Sequence, residues 1–199
     1  MNTKIQKIHQ FDEVFDSQNV FRLVLEAMAN PGRLVDLAAP AGKMFGEEPA
    51  LLALAMTFLD NEVSFWAGDD GVLSGQISQL TLCRNADISE ADFLFLTDGE
   101  QLEQAVQNAK CGSLRDPHKS ATLIVRTEIL GSEFIALSGP GIRDLAELAA
   151  SPDVVRALLL RKEQAYEYPQ GIDFLFIDSQ HRLMALPRLV RKEEKKWDM

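Results

Sequence analysis

The chain has 199 residues, a formal net charge of -10, and 46% hydrophobic with 8% aromatic residues, which suffices for a packed core without covalent staples. Its acidic balance argues against a nucleic-acid ligand, because phosphates are met by basic surfaces. Cys83 and Cys111 form no CxxC pair, the amino end has no apolar run of signal-peptide length, and no stretch approaches a membrane span, so a cytoplasmic protein outside the membrane is expected.

From the amino end, Phe21, Val24, Leu25 and Met28 recur at helical spacing, and Asp16 or Ser17 is placed to cap the helix they predict. Asn30-Pro31-Gly32 stops that helix, and "RLVDLA" follows as a short strand. "PALLALAMTFLD" opens with proline at a first-turn position and is apolar nearly all round, which predicts a buried helix. "EVSFWA" reads as a strand, "VLSGQISQLTL" as a helix with Leu73, Ile77 and Leu80 on one face, and "ADFLFLTD" as a strand buried on both faces. "EQLEQAVQNA" predicts an acid-capped helix.

"ATLIVRTE" and "EFIALSG" then read as a hairpin turned by Leu130-Gly131-Ser132, and "IDFLFID" and "RLMALP" as a second hairpin around Ser179-Gln180. Between them, "SPDVVRALLLRKEQAYEY" starts with a serine cap and a proline, predicting a partly buried helix. Residues 188–196 hold Arg188, Arg191, Lys192, Lys195 and Lys196 beside two glutamates, a mixed run that predicts a solvated tail. Alternating units in front and hairpins behind predict one domain over residues 1–199, a three-layer α/β/α sandwich around a mixed sheet. The apolar helix from Pro49 to Leu59 exceeds what one thin sandwich hides, so a surface shared with a twin subunit is expected.

Few residues promise chemistry. "GSLRDPHKS" ends in Lys-Ser as a phosphate loop does, but His118 stands where that motif needs glycine, and a strand follows where it needs a helix. The loop still carries Lys110, Arg115, His118 and Lys119, which meet an anion through side chains or simply solvate an exposed turn. His9, His118 and His181 are scattered and no HExxH or calcium loop occurs, so no metal is expected. There is no GxSxG elbow, and no histidine neighbours either cysteine in sequence; the catalytic residues are unknown at this level.

The remaining candidates lie beside Pro/Gly breaks. Arg33 follows Pro31-Gly32, and Arg143 follows Gly139-Pro140-Gly141, a loop whose backbone is open to an anion or merely turns the chain. Asp173 opens an apolar strand two residues after Gly171, where an acid is paired, capping or functional, and pairing is favoured. Arg33, Arg143, Lys119 and Asp173 are therefore the candidate anion- or partner-binding residues.

"FRLVLEAMANPGRLVDL", "LALAMTFLDNEVSFW", the loop into "ATLIVRT", "LSGPGI" and "YPQGIDFLFIDSQHRLMALPR" occur in the order seen in the PhnH family, a subunit of the bacterial carbon–phosphorus lyase system. The resemblance covers about Phe21 to Arg188 and rests on PGR, GPGI, YPxGID and ALPR in combination. It implies an α/β/α domain similar to the large domain of pyridoxal-phosphate-dependent transferases, without that cofactor or any other. It also implies a homodimer that joins PhnG, PhnI and PhnJ subunits and works with PhnL, in an assembly replacing the adenine of ATP by a phosphonate to give ribose 1-alkylphosphonate 5-triphosphate. The nucleosidase step is ascribed to PhnI, which fits a chain without a visible nucleophile. A stand-alone anion-binding α/β enzyme and a non-catalytic dimeric scaffold are the alternatives, and binding of a phosphonate or nucleotide ligand by the isolated dimer separates them.

Overall fold

Six helices and ten strands form over residues 9–193, the part of the chain that the computed structural model describes. Helix α1 runs from Phe15 to Ala29. Its cap is neither Asp16 nor Ser17: the Asp12 carboxylate accepts from Val14 N at 2.9 Å and Phe15 N at 2.8 Å, so the helix starts earlier than its apolar spacing shows. Asp16 instead lies buried in the first turn, where it accepts from Lys43 Nζ at 2.6 and 2.8 Å. Burial opposes ionisation of Asp16, but the Lys43 bond and the Asp12 backbone N–H outweigh it and hold the carboxyl below the ordinary aspartate range.

Asn30 closes α1, and the chain continues through β1 (Leu34–Asp36) and the short α2 (Ala38–Ala41) into α3 (Pro49–Phe58), whose proline stands in the first turn. Then come β2 (Ser64–Trp66), α4 (Gly71–Thr81), β3 (Arg84–Asn85), β4 (Phe93–Leu96) and α5 (Leu102–Asn108). Asp70 caps α4 by accepting from Val72 N and Leu73 N, whereas α5 has no side-chain cap, its acid Glu103 lying in the first turn. The second half holds β5 (Thr122–Arg126), β6 (Glu133–Ser138), β7 (Ala146–Ala150), α6 (Pro152–Glu163), β8 (Asp173–Ile177), β9 (Arg182–Leu186) and β10 (Arg191–Glu193). The serine cap of α6 forms as expected, Ser151 Oγ accepting from Val154 N.

Seven strands make one mixed sheet in the order β1-β9-β8-β5-β4-β2-β3, in which β8, β5, β4, β2 and β3 pair in parallel and β9 runs antiparallel to both its neighbours, β8 and β1. The β8–β9 hairpin is the one expected. The other is not: β5 lies between β4 and β8, while β6 joins β7 and β10 in a separate antiparallel sheet. The physical reason lies at Gly131, which donates to Ala149 O and sits where a Cβ would come within 2.2 Å of Ala150 O, so the turn delivers β6 to β7 and away from β5. Strands β3, β7 and β10 have no clear alternating pattern. In the expected solvated tail, Arg191 to Glu193 pair with Ser138 to Ala136 of β6, while Lys195 and Lys196 lie outside the described residues.

Two cores flank the large sheet. On one face, Val20 and Val24 of α1 and Leu51 and Leu54 of α3 pack against Phe65, Phe95, Ile124 and Leu183. On the other, Leu102 and Val106 of α5, Val154 and Leu158 of α6, and Ile135 and Leu137 of β6 cover Leu94, Val125, Phe174 and Phe176. The α/β/α layering therefore holds, with the small sheet sharing one outer layer. Residues Ala50 to Ala55 of α3 are at most 4% exposed within this one chain, so the apolar helix is explained without a twin. Exposed apolar side chains are spread over several elements, and four of them, Val14, Phe15, Phe21 and Leu25, gather on and beside α1.

Candidate functional site

The Pro/Gly segments that are far apart in sequence meet at one end of the molecule. Gly141, at φ +84°, has the position of its missing Cβ 2.7 Å from Ala29 O and 2.8 Å from Pro31 Cδ, so the glycine-proline-glycine loop lies directly on the break after α1. Gly139 in turn lies against the Leu189 and Val190 backbone. Gly171, at φ +142°, lets the Arg188 side chain pack within 3.0 Å of where its Cβ would stand. The segment preceding Gly171 crosses a cis Tyr168-Pro169 peptide and is tied to the 111–112 loop by Gly171 N donating to Cys111 O and Gln170 Nε2 donating to Gly112 O, each at 3.0 Å.

Asp173, the first residue of β8, is paired as expected. Its carboxylate accepts from Arg188 N at 2.7 Å, from Arg188 Nε at 3.3 Å and from Arg188 Nη2. The remaining Arg188 donor, Nη1, bonds Pro117 O at 2.7 Å in the 3-10 turn Pro117–Lys119. YPQGID, ALPR and the charged loop before β5 are thus one hydrogen-bonded unit, in which the fork of Arg188 is matched to a carboxylate on one side and a carbonyl on the other.

Arg161 of α6 is the most unusual side chain here. It is 6% exposed and donates from Nη1 to Leu186 O at 2.9 Å, Pro187 O at 3.2 Å and Ile172 O at 3.3 Å, and from Nη2 to Val190 O at 2.5 Å. Its guanidinium carbon stands 5.0 Å from the Phe174 ring centroid, a cation over an aromatic face. Burial pulls its pKa down to about 10, Asp173 pulling the other way, so it stays charged at neutral pH. Tyr166, whose OH donates to Val106 O at 3.5 Å, is pushed up to about 12 by burial, with Cys111 adding in the same direction.

Above these groups opens a cleft of about 640 Å³ between α6, the Tyr166–Gln170 segment and β10. Arg161, Lys162, Arg188, Arg191 and Lys192 line it, with Tyr166 and Tyr168 on one side and Glu193 as the one acid in the lining among the described residues. Such a lining suits binding and orientation of an anion. Among the described residues no group of three His, Cys, Asp or Glu side chains converges to hold a metal ion.

Of the four residues singled out from sequence, only Asp173 belongs to this unit at depth. Lys119 shares its loop but is 67% exposed and lies 3.6 Å from Asp116. Arg33 is exposed and ion-paired with Glu26 at 3.0 Å, and Arg143 projects from an exposed stretch after Gly141. Their loops touch through Gly141 and Pro31, yet neither arginine is among the described residues that line the cleft. Sequence reasoning missed Arg161, Arg191 and Lys192. The signal for Arg161 was available: it falls seven residues after Val154 and three after Leu158, on the buried stripe of α6 where a charge is out of place.

Residues 9–193 match the family described as bacterial phosphonate metabolism protein (PhnH), a longer span than the motif segments alone. The chain is 31% identical over 172 residues to a Stutzerimonas stutzeri protein named as the C-P lyase subunit protein HtxG, covering 86% of this chain and 83% of that one. It is 30% identical over 192 residues to the Rhizobium meliloti (strain 1021) protein named alpha-D-ribose 1-methylphosphonate 5-triphosphate synthase subunit PhnH, covering 92% of each.

Proposed function

The chain belongs to the PhnH family, and on that premise we propose that it is a subunit of a carbon–phosphorus lyase assembly in phosphonate breakdown. Within that assembly it supports formation of an alpha-D-ribose 1-alkylphosphonate 5-triphosphate from ATP and an alkylphosphonate. The observation that carries this reading is the match over residues 9–193, joined by two relatives whose names state a C-P lyase subunit and a synthase subunit. The partners it implies are PhnG-, PhnI-, PhnJ- and PhnL-like subunits in the cytoplasm. Bond-breaking is assigned to those partners, and this chain supplies a rigid, basic end in which Asp173, Arg188 and Arg161 are locked by one another and by backbone carbonyls. Reconstituting the assembly with and without this chain tests the reading: product formation should fall when it is left out, and full turnover in its absence would refute the role.

The reading extends to assembly and cofactor. A homodimer is proposed through α1, because Phe21 and Leu25 lie one helical turn apart and exposed, and the Phe21 ring is 6.4 Å from Phe58, which stacks on Phe93 at 5.7 Å. Sedimentation should give a dimer for the wild type and a monomer for Phe21→Lys/Leu25→Lys; an unchanged dimer in the variant places the contact elsewhere. The proposed likeness to the large domain of pyridoxal-phosphate enzymes goes with an absence of the cofactor. Lys119, the candidate lysine of the charged loop, is tied to Asp116 on the surface, away from any enclosing wall. Added pyridoxal phosphate should give no stable aldimine band, and a band lost only in Lys119→Ala would overturn this.

A further inference from the structure

Among the described residues, one buried side-chain oxygen has no hydrogen-bond partner: Ser120 Oγ, on a residue 9% exposed just before β5. A hydroxyl shielded from water is normally paired, so this one is set for an acceptor that the folded chain does not itself supply. Ser120 forms an isolated antiparallel bridge with Cys111, beside which Ala121 N donates to Lys110 O at 2.8 Å. Directly opposed residues of such a bridge send their side chains to the same face. The orphan hydroxyl therefore lies on the flank of the Cys111 thiol.

Cys111 is the more accessible of the two free thiols. It is half-buried, donates weakly to Gly112 O at 3.6 Å and has Gln170 Nε2 at 4.0 Å from its sulfur. Its surroundings are basic: Arg115, His118 and Lys119 share its loop, and Arg188 Nη1 reaches Pro117 O, the carbonyl against which Gly112 lies. A partly exposed sulfur in an electropositive setting is the reactive kind. Cys83 is the opposite case. It is 3% exposed, burial pushes its thiol up, and it lies next to β3, three strands from β5 across the sheet, so it neither ionises readily nor reaches Cys111.

From these observations we propose that Cys111 is an oxidation site for hydroperoxides, and that Ser120 holds the sulfenate formed there. The Cys111 thiolate attacks one peroxide oxygen, and an S–O bond forms as the O–O bond breaks. Sulfur is oxidised by two electrons, the peroxide is reduced, and the departing hydroxide or alkoxide takes up the proton that the thiol released. The new oxygen is one atom beyond sulfur, and it accepts the Ser120 Oγ–H. A bulky mixed disulfide has no use for this donor, because the hydroxyl is shielded and only an atom borne on the sulfur itself comes to it. The site needs no partner subunit and no phosphonate, so it goes beyond the subunit reading.

The experiment is a short pulse of hydrogen peroxide on the reduced full chain, removal of the peroxide with catalase, and addition of dimedone after graded delays, read by peptide mass spectrometry. Dimedone should label Cys111 and not Cys83. In Ser120→Ala the fraction of Cys111 open to labelling should decay at least several-fold faster. Alkylation of the unoxidised Cys111 by iodoacetamide should keep its wild-type rate in that variant, since the hydroxyl acts on the added oxygen and not on the sulfur. Ser120→Ala should also melt no lower than the wild type, because it removes an unpaired buried polar atom. No dimedone label on wild-type Cys111, or equal labelling of Cys83, overturns the oxidation site. Equal decay in wild type and Ser120→Ala, or an iodoacetamide rate that changes as much as the decay does, overturns the role of Ser120.

Discussion

Replacing Arg161 by methionine keeps the length and the apolar stem and removes the guanidinium from four carbonyls. The two closest acceptors, Leu186 O at 2.9 Å and Val190 O at 2.5 Å, lose full charge-assisted bonds, whereas Pro187 O and Ile172 O at 3.2 and 3.3 Å share Nη1 and lose less. Each buried acceptor left without a donor costs about 1–3 kcal/mol, and the contact over Phe174 is worth about 1–2 kcal/mol more. Release of the buried cation's desolvation offsets part of this. The net expectation is a loss of about 3–5 kcal/mol, which for a domain of this size lowers the melting temperature by roughly 8–15 °C. Arg161→Lys keeps the charge but replaces a planar fork by one ammonium, and should lose about half as much. Urea unfolding read by tryptophan fluorescence measures both variants. If Arg161→Met is within about 1 kcal/mol of the wild type, or more stable, the carbonyl clamp is not what holds the Leu186–Val190 turn to α6, and the reasoning fails.

Arg33→Lys and Arg143→Lys should melt near the wild type, since both side chains are exposed, but weaken assembly or phosphonate turnover by the complex; lowered melting with full turnover would make them braces instead. Asp92 accepts from Lys110 Nζ at 2.5 Å and from Ser64 Oγ at 2.7 Å. Burial opposes its ionisation, yet these bonds hold its pKa below the ordinary value, so its contribution is present above the unfolded carboxylate range and lost as pH falls through the folded value. Asp92→Asn should therefore cost stability at pH 7, about 1–2 kcal/mol, and show a shallower further loss toward pH 3 in urea titrations; parallel curves would count against the pairing. Gly141→Ala, at φ +84° and against Ala29 O, should destabilise by about 1–3 kcal/mol, and a neutral result would show that the two loops part easily.

What could be read from the sequence followed how local its cause was. Helix α3 announced itself through Pro49 and an unbroken apolar run, α6 through Ser151 and Pro152, and the β8–β9 hairpin through the polar Ser179-Gln180 turn between apolar strands. The false hairpin between β5 and β6 had an equally good local signal, because Gly131 does turn the chain; only the approach of Ala150, nineteen residues later, decides which strand the turn serves. β10 was hidden for the opposite reason. "RKE" has no strand propensity of its own, and it is extended because β6 offers it an unpaired edge. The same distinction governs the site. Asp173 was legible as an acid that must be paired, but its partner Arg188 is fifteen residues away and depends on the fold, as do the carbonyls that receive Arg161.

The rims of both sheets have a consequence for how this protein meets others. The large sheet ends in β3, two exposed residues that include Arg84, and in β1, three residues ending in exposed Asp36. The small sheet ends in β7, with exposed Glu147, and in β10, with Arg191 and Glu193 outward. Every terminal strand carries a charged residue, and all but β7 are three residues or fewer, a pattern that disfavours ribbon growth by edge-to-edge stacking of identical chains. The backbone thus offers a neighbour little to zip onto. Association is left to side chains on faces and loops, where shape and charge select among neighbours, so a crowded multi-subunit particle can take up this chain without risk of open-ended polymerisation.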